Sequence, residues 1–445
     1  QMEKFLKMCA ATFFSAAMLV GFIACSNGSV DHKKLNSMLN TSLTMNTTDA
    51  KLIYQKSSVQ SRSNANGDGY FKLTFNNDED RVVLQDADGM PLDVGFYLKR
   101  LSNKHLLVRP EFHPQDFYNG DFDEIYMEPE GKELYAKCEE LNRTRLLDVK
   151  TGKSYLWNVY NQWSSPIYGE YIAQCYEMSP TKYLILTDLE ILIMDYSNPD
   201  RIKIIPVKAE GEEVDISKVE FDQLGNVAYW SDSMNIWRIR TADGKYYQVD
   251  ENRDRWQEMF VLNDSFFLFN PEKSQLFNIG IHDGTSELTY ELMDFPFINS
   301  GDVKIEDLVM FNPIRQSVVF RCKSPSIGTQ YYEFSGNNNE MYPVVLPNDF
   351  SVYFTHDKIK GKGWFGIGQE KIQYLNFEDN QFNEYPLTDV QVIEHSIDNI
   401  NGVVYFSGFS LTNGGKVIGS VNYKGEIDFK ALDNQDSITT LIPVN

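Results

Sequence analysis

Residues 144–159 read TRLLDVKTGKSYLWNV: an apolar segment over 144–149, a turn at Lys150-Thr151-Gly152, and a second apolar segment over 153–159. This strand–turn–strand unit recurs. Turns of the same Asx/Gly chemistry stand at Asn198-Pro199-Asp200, Asp243-Gly244, Asp283-Gly284, Gly336-Asn337-Asn338, Asp379-Asn380 and Lys424-Gly425. From Gly152 to Gly425 their mean spacing is about 45 residues, a period that marks a repeat architecture. Further short apolar runs precede each turn: 133–138 in the first unit, 226–230 and 235–239 in the third, 403–406 and 416–421 in the seventh. Runs rich in Val, Ile, Tyr and Phe between Gly, Asn, Asp and Pro read as strands. No stretch sustains a helical apolar period over three turns.

Four strands per period of this length describe a β-propeller blade. A blade cannot bury both faces alone, so blades stack around a channel and the ring closes. The expected fold is all-β: a single β-propeller over residues 70–445, with seven four-stranded blades across roughly 121–432. Residues 70–116 and Ser437–Val444 are left to supply closing strands or, paired together, an eighth blade. Two packed β-domains or a β-solenoid are the competing architectures.

The chain has 445 residues, and 41 Lys+Arg against 63 Asp+Glu leave a net charge of −22. Phosphate backbones require a Lys/Arg surface that this composition does not supply, so nucleic acid is excluded as a general partner. Hydrophobic content of 42% is enough for a large core. Cys138, Cys175 and Cys322 are widely spaced, none in CxxC, and fit buried hydrophobes better than a disulfide framework or a zinc site; a Cys138–Cys175 bridge is the alternative.

At the N-terminus Lys4 and Lys7 precede an uncharged run from Met8 to Ala24, the pattern of a signal peptide, slightly short for a membrane span. Phe22-Ile23-Ala24-Cys25 resembles a bacterial lipobox, with Phe22 where Leu is usual. The resemblance implies a signal peptide at 1–24, lipidation of Cys25 and a bacterial outer-membrane location through the lipid anchor alone. Residues 25–69, rich in Ser, Asn and Thr, are expected to form a flexible tether.

Asp148-Val-Lys-Thr151-Gly152-Lys-Ser-Tyr-Leu-Trp157 resembles the D-x-x-T-G-x-x-x-W turn of quinoprotein-like propellers, a group that includes outer-membrane assembly lipoproteins. Met178-Ser179-Pro180 and Phe221-Asp222-Gln223-Leu224-Gly225 are similar to the turn of YVTN and TolB-like repeats. The other blades lack the quinoprotein Trp, so the resemblance does not extend to a quinone. With the lipobox and an acidic, Asn/Tyr/Phe-rich composition, the chain resembles an outer-membrane or surface lipoprotein of the Bacteroidota type.

Catalytic signatures are sparse. The serine-hydrolase elbow, the sialidase turn, phosphate-binding glycine motifs and HExxH are all missing. His105 and His113 are the nearest histidines that could act together, as metal ligands or an acid–base pair; loop or strand-edge roles are the alternative. Asp86/Asp88 and Asp121/Asp123 place carboxylates one residue apart, as calcium loops do, yet neither continues into a full loop. No cofactor or metal is expected. The distinctive segments are two connections from a fourth strand to the next first strand, Tyr160–Tyr171 and Glu251–Gln257. They carry Trp163, Tyr168, Arg253, Arg255 and Trp256 beside amides, a combination suited to a sugar face or a peptide; inter-blade packing is the competing role. The function expected is non-catalytic binding of a glycan or an envelope protein, with a carbohydrate-active enzyme or an envelope-assembly scaffold as alternatives.

Overall fold

The computed structural model describes residues 28–58, 69–75, 80–157, 172–187, 190–207, 218–221, 227–231, 235–251, 258–263, 265–272, 274–280, 289–293, 303–312, 314–346, 363–376, 379, 381–398, 400–433 and 436–444. Within them the chain is a succession of small antiparallel sheets, most of them hydrogen-bonding a strand to the next in sequence. Blade 1 comprises Gly95–Arg100, His105–Glu111, Arg145–Asp148 and Ser154–Leu156. Blades 2 to 5 begin at Ile172, Lys218, Glu258 and Lys304, and blade 7 spans Val390 to Ala431. Blade 8 joins the chain ends: Asp436–Pro443 pairs Leu52–Ser58, followed by Gly69–Lys72 and Asp80–Arg81. These are seven four-stranded blades. Blade 6, Gly363–Pro386, has three strands among the described residues. An eighth blade was the alternative for the leftover segments, and it forms, but the C-terminal strand pairs Leu52–Ser58, ahead of residue 70, while residues 95–111 go to blade 1.

Core packing links the blades around the ring at every step but blade 3 to blade 4, where the strands Lys218–Phe221 and Glu258–Leu262 lie side by side. Ile53 and Ile442 of blade 8 pack on Leu106 and Val108 of blade 1; Leu107 and Leu146 of blade 1 pack on Ile185 and Met194 of blade 2. Leu184 and Ile193 continue to Val219 and Ile239 of blade 3. Phe267 and Phe269 of blade 4 meet Phe320 and Phe334 of blade 5. Val319 then meets Trp364 of blade 6, Phe365 meets Phe406 of blade 7, and Tyr405 meets Tyr54 and Phe71 of blade 8. A strand covered on both faces reads as a continuous apolar run rather than an alternating one, and Leu184–Leu186 and Phe266–Phe269 are buried throughout. The fourth strands, at the rim, are largely exposed, as in Lys203–Pro206 and Ile427–Ala431.

The structure corrects the expected tether and the first blade. Residues 29–58 of the presumed tether contain helix α1 (His32–Leu39) and a propeller strand, with Leu35, Leu43, Leu52 and Ile53 buried. Their Ser/Asn-rich composition hides apolar residues at the spacing that packs. The strand expected at 133–138 lies in helix α2 (Pro129–Leu141), because Pro129 stands at the first turn and Gly131, Leu134, Cys138 and Leu141 share one face. The first two strands of blade 1 come instead from residues 95–111, and 112–144 is an insertion. Cys25 and the expected signal peptide lie outside the described residues.

Candidate binding face

In an antiparallel four-strand blade, the second-to-third and fourth-to-next-first connections leave on one side of the ring. The first-to-second and third-to-fourth hairpins leave on the other. Trp163 and Tyr168 belong to the connection between Ser154–Leu156 and Ile172–Ser179, and Arg253, Arg255 and Trp256 to that between Lys245–Glu251 and Glu258–Leu262. All five lie outside the described residues. The strand ends that bound the two connections lie on the same side of the ring, with blades 2 and 3 between them.

The described part of that side is dominated by the blade 1 insertion, which fills a second-to-third connection. Its ends are tied by a reciprocal pair: the Phe112 N–H donates to Asn142 Oδ1 at 2.7 Å, and Asn142 Nδ2 donates to the Phe112 carbonyl at 2.9 Å. Between them stand two 3-10 turns, Pro114–Phe117 and Phe122–Glu124, and helix α2. The N-terminal segment clamps the insertion from outside. Ser29 and Val30 pair with Asn119 and Tyr118, and the Asp31 N–H donates to the Phe117 carbonyl at 2.8 Å. Leu35 and Met38 of α1 then share a core with Phe117, Phe122, Leu134 and Cys138. Gly131 permits α2 to start directly behind the preceding loop, since a Cβ there would lie 2.0 Å from the Ile125 carbonyl oxygen.

This rigid base carries a ladder of rings to the surface. Tyr118, Phe122, Tyr126 and Tyr135 follow one another edge to face at 6.2, 6.1 and 6.2 Å. Tyr118 is buried, whereas Tyr126 is 47% and Tyr135 45% exposed, with Met127 at 69%. Asp123, Glu124, Glu128 and Glu130, all exposed, flank Tyr126 in the chain. Ring faces beside carboxylate acceptors can stack on a sugar while accepting from its hydroxyls, or receive a basic protein segment. These residues were missed in the sequence because their stretch was assigned to a strand and its approach; Pro129 followed by apolar positions 131, 134, 138 and 141 was the available signal.

Elsewhere on this side Asp389 organises blade 7. Its carboxylate accepts from Ser410 Oγ at 2.6 Å and from the Thr412 N–H and Oγ1 at 2.6 and 2.5 Å, contacts that lower its pKa, the Ser410 bond most. The opposite side of the ring holds the second candidate constellation. His105 Nδ1 lies 3.0 Å from the Tyr183 hydroxyl, which lies 2.6 Å from Ser102 Oγ. Ser102 and Tyr183 are buried, and burial pushes the Tyr183 hydroxyl well above the usual range. These groups satisfy one another across the blade 1–blade 2 boundary and offer no activated nucleophile. His105 opens the strand His105–Glu111 and His113 lies beyond its end, about 25 Å away at the usual rise per residue. They cannot share a ligand.

The paired aspartates are turn caps. Asp86 Oδ1 accepts from the N–H groups of Asp88 and Met90 at 3.0 and 2.9 Å, and Asp121 Oδ1 from that of Asp123 at 3.1 Å. Among the described residues no group of three or more His, Cys, Asp or Glu is placed to hold a metal. Cys138, Cys175 and Cys322 are free thiols, so the alternative Cys138–Cys175 bridge is not formed. Burial pushes Cys138 and Cys322 up to about 12, which makes them unreactive.

No protein-family model matches the chain, and no curated protein matches its sequence. Solved structures align with the chain at low identity. Dipeptidyl peptidase 4 of Porphyromonas gingivalis aligns over 76% of this chain and 53% of its own, at 8% identity and a TM-score of 0.44. A dihydro-heme d1 dehydrogenase aligns over 68% and 71%, at 10% identity and 0.39. A quinoprotein alcohol dehydrogenase-like protein from Bacteroides thetaiotaomicron aligns over 68% and 76%, at 10% identity and 0.36. The β-propeller assignment rests on the strand pairing and inter-blade packing of the chain itself.

Proposed function

We propose that the protein is a non-catalytic binding propeller of a bacterial envelope, anchored through Cys25 and taking a glycan or a partner protein on the side of the ring that carries the insertion. The observation that carries this reading is the exposed Tyr126–Tyr135 pair on a clamped, well-packed base. Large aromatic surface held on a rigid element costs little ordering entropy on binding, which is what a recognition surface requires. Further support is topological: Leu156, Ile172, Glu251 and Glu258, the strand ends between which Trp163, Tyr168, Arg253, Arg255 and Trp256 stand in the chain, lie on this same side.

The test is a glycan array and an envelope-protein pulldown with the wild-type chain and with Tyr126→Ala/Tyr135→Ala. Each stacked aromatic is worth about 1 kcal/mol beyond area burial, so the double variant should bind about tenfold or more weaker. Full binding by the double variant would sink the site, and no ligand in either screen would sink the reading. Cys25→Ala should release the protein from membranes; unchanged membrane retention would remove the anchor.

A further inference from the structure

Arg145 opens the third strand of blade 1, immediately after the insertion, paired with Val108 and Leu156. Partners in register share a sheet face, so its side chain lies on the side of Val108 and Leu147, which pack toward blade 8. The residue is 9% exposed, yet its guanidinium makes no hydrogen bond or ion pair with any described residue, and Nε is buried without an acceptor. A guanidinium has five N–H donors and no means of becoming neutral at physiological pH. Nε is fully enclosed while the outer nitrogens keep a solvent-facing edge, and holding a guanidinium this deep with no anionic partner is unfavourable. In a chain with 63 acidic residues, a carboxylate partner was readily available. Its charged neighbour is instead Arg143, whose repulsion adds to burial in pulling the Arg145 pKa down to about 10. Beside it in the chain Thr144 Oγ1 is also buried without a partner.

We propose that Arg145 anchors an oxyanion-binding site at the base of the blade 1 insertion, with Arg143 adding positive potential, for a ligand bearing a carboxylate, sulfate or phosphate group. The guanidinium fork matches such groups in a bidentate manner. The net charge of −22 repels anions at long range, so the site acts by local contact and charge-assisted hydrogen bonds.

The experiment follows thermal unfolding and calorimetric binding of the full chain with sodium sulfate, phosphate and glucuronate, against sodium chloride at equal ionic strength. Sulfate and phosphate stabilise most proteins by exclusion, so the readout is a saturable shift in wild type beyond that of Arg145→Met. Arg145→Met and Arg145→Gln should melt no lower than wild type without anion and lose the saturable shift; Arg201→Met, at an exposed position, should keep it. The three anions distinguish a carboxylated ligand from a sulfated or phosphorylated one. Equal shifts in wild type and the Arg145 variants, or no saturable response to any of the three, overturn the site. If neither variant folds, the wild-type isotherms decide: saturation supports the site and a linear response removes it.

Discussion

His105 shows what a single half-buried base does to stability. Its ring stands edge-on to Tyr196 at 4.7 Å and Nδ1 faces the Tyr183 hydroxyl. Burial holds its pKa below the ordinary value, outweighing the pull of Asp148. The folded state therefore keeps His105 neutral, while the unfolded chain takes up a proton near pH 6.5. Where the unfolded state binds more protons, stability rises with pH, so this contribution is complete above about pH 6.5 and is lost as pH falls toward the folded pKa. His395 is shifted in the same direction by the same cause. The urea midpoint of the wild type should fall between pH 7.5 and 5.5, and His105→Gln should show a smaller fall, with His395 supplying the remainder. Parallel midpoints for both proteins would assign the pH dependence elsewhere.

At the scale of elements, the insertion is a separate small core fastened to blade 1. Gly131→Ala would drive a Cβ into the Ile125 backbone, and overpacking of this kind costs about 1–3 kcal/mol. The cost should fall on the insertion: amide exchange over 114–141 should accelerate while Leu184–Leu186 and Phe266–Phe269 stay protected. Uniform acceleration would show that the ring depends on the insertion. The third-to-fourth hairpins were legible in the sequence because their chemistry is local. Gly152, Gly244 and Gly425 have φ of 68°, 70° and 84°, which an L side chain adopts only with strain, so glycine marks those turns. Helix α2 was not legible because its buried stripe is narrow and includes a glycine. Tyr135 on it and Tyr126 just before it were missed for the same reason, whereas the two connections between blades stood out by composition. Arg145 could not be found either: an arginine opening an apolar strand reads as a rim residue until its burial and lack of a partner are seen together.

For the whole molecule, the decisive pairing is also the one with the greatest sequence separation. Ile53 faces Ile442 and Tyr54 faces Leu441 in blade 8, and the Val444 N–H donates to the Lys51 carbonyl at 3.0 Å. A second tie bridges blades 1 and 7 past blade 8: Asn103 Nδ2 donates at 2.8 Å to Asp398 Oδ1, and the same buried carboxylate accepts from Asn401 Nδ2 at 2.7 Å. Local period predicts blades but says nothing of which chain end completes which sheet, so this closure was legible only as an alternative. Until residues 436–444 are present, blade 8 lacks its first strand, and Ile53 and Tyr54 lose the partners that cover them. Contacts this distant are made late, because loop closure is paid for before they reward it. A chain ending at Leu432 should therefore lose its single sharp unfolding transition and expose apolar surface. A synthetic peptide of residues 433–445 should restore both, because an added strand supplies the missing backbone partners as well as the side chains. A truncated chain that melts as sharply and as hot as the full one would mean that the ring is held by inter-blade packing alone and that the terminal strand is dispensable.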